Sequence, residues 1–119
     1  MSYDAELLDP VTKQCLQLDI PHEIRGGIFA EEGTRDLWLN ITFNYSQIYR
    51  QVFGENGIQL IDGLTGAQSI SVLEKAIKQL GDDVDDDYWR ATEGNAKMAL
   101  SQLLVFAQLR PDGIWDIEG

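Results

Sequence analysis

A length of 119 residues matches one domain, 1–119, and is long enough to bury a core without a disulfide or metal staple. Twenty acidic residues face nine basic ones, and the net charge of −11 repels phosphate over the surface, which excludes general, direct binding to nucleic acid. Cys15 is the one cysteine, so neither an internal disulfide nor a thiolate metal site is expected.

The opening Met1-Ser2-Tyr3-Asp4-Ala5-Glu6 lacks the basic region and apolar run of a signal peptide, so a cytoplasmic protein is expected. No stretch approaches the length of a membrane span, and no membrane partner is expected. Tyr3 to Leu7 alternates apolar and polar, the period of a half-buried strand. Asp9-Pro10 supplies a turn, after which Cys15 to Leu18 is expected to return as the hairpin partner. Pro21 and Gly26-Gly27 predict an irregular loop holding His22 and Arg25, followed by a short strand over Ile28-Phe29-Ala30 and a turn at Glu32-Gly33-Thr34. The clearest strand follows, with Leu37, Leu39, Ile41 and Phe43 on a core face and Trp38, Asn40, Thr42 and Asn44 on the other.

Ser46 to Phe53 reads as a short helix with Asn44 or Ser46 as cap and Gly54 as stop, and Gly57 to Ile61 as loop or brief strand. Thr65 or Ser69 opens a longer helix carrying Ile70, Leu73, Ile77 and Leu80 at helical spacing and ending at Gly81. The last helix spans about Thr92 to Leu109 and is apolar over most of its circumference. It is therefore either the central core helix or half buried in a contact between copies, which leaves a homo-oligomer open. Arg110-Pro111 stops it, and Asp112-Gly113 leads into a tail with Ile114-Trp115. Strands first and helices later predict an α+β fold: a small antiparallel sheet from the N-terminal half packed against helices from the C-terminal half.

Four clusters carry potential chemistry. His22, Arg25, Gly26 and Gly27 combine an anion-binding side chain with glycines that admit close backbone approach, or form only a turn. Trp38, Asn40, Thr42 and Asn44, continued by Tyr45, set a flat aromatic beside amides, the chemistry for holding a planar heterocycle, or form an ordinary sheet face. Trp89, Arg90 and Asn95 stand at a helix entrance, where free N–H groups favour anions or a capping box closes the turn. The run Asp82, Asp83, Asp85, Asp86 and Asp87 lacks the glycine and ligand spacing of a calcium loop and reads as helix capping and solvation. One histidine, no nucleophile elbow and no phosphate loop leave enzyme chemistry without support, so no catalytic residue, cofactor or metal is expected.

Pro21-His22-x-Ile24-Arg25-Gly26-Gly27, Trp38-Leu39-Asn40-Ile41-Thr42-x-Asn44-Tyr45, Gly63-Leu64-Thr65-Gly66-Ala67 and Tyr88-Trp89-x-Ala91-Thr92-Glu93-Gly94-Asn95-Ala96-Lys97 resemble a family of small phage- and prophage-encoded proteins, mostly of Gram-positive bacteria. The resemblance runs nearly the whole chain, to Arg110-Pro111-Asp112-Gly113-x-Trp115, and implies no catalytic residue or cofactor. It implies action against host antiviral defence, inside the bacterial cell. The leading expectation is a non-enzymatic protein that sequesters a small nucleotide-like ligand. The alternative is an acidic, DNA-mimicking inhibitor that docks a basic host protein surface such as that of a nuclease.

Overall fold

The computed structural model describes residues 1–23, 26, 27 and 32–119. Arg25 and the expected strand over Ile28-Phe29-Ala30 lie outside the described residues. The described elements are strands β1 (Ser2–Leu8), β2 (Gln17–His22), β3 (Thr34–Asp36), β4 (Trp38–Thr42) and β5 (Ile114–Glu118), with helices α1 (Ser46–Phe53), α2 (Gly66–Gln79) and α3 (Glu93–Leu109). Short 3-10 turns occupy Phe43–Tyr45 and Gly57–Ile61, the second where a loop or brief strand is expected. The fold is α+β. No described helix is long and apolar enough to cross a membrane.

β1 is the middle strand of a three-stranded antiparallel sheet ordered β4-β1-β5. Ala5 stands opposite Leu39 on one side and Ile117 on the other, and Leu7 opposite Trp115. These five residues, with Ile41, are buried in the core that α2 and α3 complete through Leu73, Ala76, Leu100, Leu103 and Phe106. Trp115 donates its indole N–H to Ser69 on α2 at 2.8 Å, so the largest core side chain also satisfies its polar atom. The expected C-terminal tail is therefore a strand: Ile114, Trp115 and Ile117 have the required alternation, but the run is too short to stand out without its partner.

Three other expectations change. Cys15 makes only an isolated bridge to Leu8, and β2 pairs with β3 rather than continuing a hairpin with β1. Three backbone bonds explain the switch: Leu7 N to Leu37 O, Leu37 N to Leu16 O and Leu16 N to Leu7 O, all 2.8–3.0 Å, join β1 to the segments entering β2 and β4. Phe43 leaves the core face and becomes half-buried against Tyr3, ring centroids 4.5 Å apart, because Thr42 turns the chain by accepting the Asn44 N–H. Neither Asn44 nor Ser46 caps α1, whose first turn follows the 3-10 turn directly; Gly54, at φ 102°, ends it.

The longer helices start as their sequences predict. Thr65 and Gln68 form a reciprocal capping box on α2, and Thr92 accepts the Asn95 N–H on α3. One side of α3 is buried through Ala96, Ala99, Leu100, Leu103, Phe106 and Ala107, while Met98, Val105 and Leu109 are exposed.

The opposite face of the sheet is acidic. Burial first, then the neighbouring Asp116, Glu118 and Asp4, raise the Glu6 carboxyl above its usual range. A raised carboxyl binds its proton more tightly in the folded state, so its contribution to stability falls as pH climbs through and above the ordinary carboxylate range. Glu6→Gln is expected to raise the melting temperature by a few degrees at pH 7, with the gain shrinking as the buffer is taken toward pH 4. Leu103→Ala, at a fully buried site, is expected to cost about 2–5 kcal/mol in urea unfolding.

Candidate functional site

Among the described residues β4 is an edge strand, so the N–H and C=O groups on its outer side take partners from outside the sheet. Tyr88 supplies them with one hydroxyl, which donates to Asn40 O at 3.1 Å and accepts from Thr42 N at 3.0 Å. Gly27 N also donates to Asn40 O, at 3.2 Å. The glycines are required by space. A Cβ on Gly26 would lie 1.6 Å from Asn40 O, and one on Gly27 would lie 2.6 Å from the Trp89 ring.

This closure corrects the expected open ligand face. Asn40 and Thr42 are 2% exposed, and Tyr45 is fully buried. Asn40 donates its amide to Ser2 Oγ at 2.8 Å and Asp4 Oδ1 at 3.1 Å, while its Oδ1 is buried with no partner among the described residues. Trp38 is half-buried, with its indole N–H on the same Asp4 carboxylate at 3.1 Å. Asn44 is exposed and donates to Trp89 O at 2.7 Å. The side chains meant to meet a heterocycle therefore meet the chain itself, because the edge they belong to has to be covered. His22 stands apart from this cluster, its ring 5.4 Å from Phe106 and its Nε2–H donating to Asp36 O at 2.6 Å.

The covering segment, residues 82–92, is held on the first turns of α3. Asn95, 6% exposed, accepts the Asp85 N–H at 2.9 Å and donates to Asp87 O and Arg90 O at 3.1 and 3.0 Å. The aspartates are mostly spent locally. Asp83 accepts Gly94 N, Asp85 accepts Asp87 N and faces Arg90 at 3.4 Å, Asp87 accepts Trp89 N, and Asp82 pairs with Lys97 at 2.6 Å. Carboxylates turned onto N–H groups at a helix entrance offset its exposed donors and dipole.

Between this segment and α3 lies a half-open cleft of about 260 Å³. Tyr45 and Tyr88 form an aromatic wall, their rings 5.6 Å apart at 66°, and the Tyr45 hydroxyl donates to Tyr88 O. Val84, Met98 and Ala99 supply apolar surface, Asn95 and Gln102 amides, and Asp85 and Asp86 carboxylates. Among the described residues that line it none is basic; Arg90 stands nearby through its pair with Asp85. Burial raises the Tyr45 and Tyr88 phenols above their ordinary values, so both stay protonated.

Of the residues singled out in the sequence, Tyr45 and Asn95 line the cleft, Arg90 adjoins it, and Trp89 packs on Tyr88 with ring centroids 5.0 Å apart. Gly26, Gly27, Trp38, Asn40, Thr42, Asn44 and His22 are not among its lining residues. Met98, Ala99 and Gln102 were missed, although Asn95, Met98, Ala99 and Gln102 share one helix face by spacing. Burial pushes the Cys15 thiol up to about 12, which keeps it from serving as a nucleophile, and no group of three metal-binding side chains occurs among the described residues.

Gly26→Ala is expected to cost at least about 1–3 kcal/mol in urea unfolding, because the new methyl group meets backbone. The same variant is expected to change the fluorescence of Trp89 as the covering segment shifts. Comparison of the chain with family models, with curated proteins and with solved structures returns no match.

Proposed function

We propose that the protein is a non-enzymatic binding protein that sequesters a small ligand carrying a nucleobase-like ring, and that it antagonises host antiviral defence by doing so. The observation that carries this reading is the composition of the cleft: two tyrosine side chains, an apolar floor, two amides and two carboxylates around about 260 Å³. Aromatic and apolar walls take the faces of a flat ring, while the carboxylates and amide oxygens accept from exocyclic amines. The volume suits a ring and part of a sugar. The phage resemblance of the Tyr88-Trp89-x-Ala91-Thr92-Glu93-Gly94-Asn95 motif, which builds one side of the cleft, supports the anti-defence role.

The carboxylates also limit the ligand. With Asp85 and Asp86 in the lining and a net charge of −11, each added phosphate is repelled, and Arg90 is the one cation beside the cleft among the described residues. A nucleoside or monophosphate is favoured over a triphosphate. The DNA-mimic alternative has less support, because four of the five clustered aspartates are engaged by Lys97, Arg90 or backbone N–H groups.

Calorimetric titration with adenosine, its monophosphate and its triphosphate tests the reading. Affinity is expected to fall along that series, and Asp86→Lys is expected to weaken adenosine binding by about ten- to a hundredfold, the loss of roughly 1–3 kcal/mol. Absence of binding for all three, together with a host protein retained in native mass spectrometry and released by Asp86→Lys, would replace this reading with the inhibitor one.

A further inference from the structure

α3 carries a second seam that nothing among the described residues covers. Met98, Val105 and Leu109 are 52%, 42% and 51% exposed, large apolar side chains on the side away from the core. With half-buried Gln102 they fall at steps of four, three and four residues, the d-a-d-a spacing by which one helix packs along another. The core side of α3 is already occupied by the sheet and α2, so the helix is apolar on two sides, and the second needs a partner of its own.

Charge indicates which partner. A chain at −11 that associates with a copy of itself has to do so through a surface free of carboxylates. From Gly94 to Leu109 α3 has none, and its one charged side chain, Lys97, is neutralised by Asp82 at 2.6 Å. A basic partner would find no acceptor on α3 itself along this seam, since the carboxylates that border it, Asp85 and Asp86, stand on the other wall of the cleft. The seam also complements itself. About a two-fold axis passing between Gln102 and Val105, Met98 meets Leu109 of a second copy, and Gln102 meets its Val105.

We propose that two copies associate through this seam, α3 against α3 in antiparallel orientation, and that the second copy closes the half-open cleft. Met98 and Gln102 belong to both the seam and the cleft lining, so Leu109 and Val105 of the second copy arrive at the cleft mouth. Four side chains per protomer make a small contact, and Gln102 sits at a position where an apolar residue packs better. The dimer is consequently weak and concentration-dependent.

Sedimentation equilibrium of the full chain from about 10 μM to about 1 mM tests this, with a monomer–dimer transition expected inside that range. Val105→Glu is expected to weaken association by more than about tenfold and Gln102→Leu to strengthen it by about fivefold or more, with circular dichroism confirming that both variants are folded. In a Cys15→Ser background, mixing Met98→Cys with Leu109→Cys chains is expected to give a disulfide-linked heterodimer faster than either chain links to itself. A monomer at every concentration, a dimer indifferent to both Val105→Glu and Gln102→Leu, or cross-linking no faster in the mixture would each overturn the proposal. None of these outcomes depends on which ligand the cleft holds, so the dimer and the sequestration reading fail separately.

Discussion

The edge that β4 presents among the described residues is the constraint from which the cleft and its covering segment follow. Asn40 O and Thr42 N face away from β1, and leaving both unpaired in the interior would cost about 1–3 kcal/mol each. Tyr88 reaches them only if residues 82–92 lie flat across the strand. That path sets the segment on the first turns of α3, where Asn95 fastens it by three hydrogen bonds, and it crowds Gly27 with the Trp89 ring, while the β4 backbone at Asn40 crowds Gly26. The cleft is the space remaining where the segment spans from the strand to the helix. Strand, strap and cleft are thus successive results of one backbone requirement.

How legible these features are in the sequence depends on whether their determinants are local. α2 and α3 announce themselves because capping residues and apolar spacing act within a few residues: Thr65 with Gln68, Thr92 with Asn95. The core face of β4 is legible for the same reason, through the alternation of Leu37, Leu39 and Ile41. β5 is not, because five residues acquire strand character from pairing with β1, more than a hundred positions away. Nor is the fate of the outer face of β4. Alternation assigns Asn40 and Thr42 to the side opposite the core, but it carries no information about a distant segment that covers that side. The cleft suffers similarly, since its wall joins Tyr45, the 84–88 segment and α3.

The acidic excess is distributed unevenly, and the distribution separates two kinds of surface. Around the entrance of α3, aspartates are held by N–H groups and cations and act as structural fasteners. On the sheet, Asp4, Glu6, Asp116 and Glu118 crowd together, and the ionised form of Glu6 is disfavoured. Beyond its first residue, Glu93, α3 has no carboxylate. A protein that repels polyanions over most of its area therefore keeps a neutral, apolar stripe beside the half-open cleft.

The placement of β1 between β4 and β5 has a consequence for biosynthesis. Ser2–Leu8 is made more than a hundred residues before Ile114–Glu118, so one of its edges remains unpaired until that later strand exists. Trp115, which fills the core and reaches Ser69, arrives at the same late moment. The sheet therefore closes only after translation has passed β5, and a chain without Ile114–Glu118 has an open β1 edge and a vacant core where Trp115 stands.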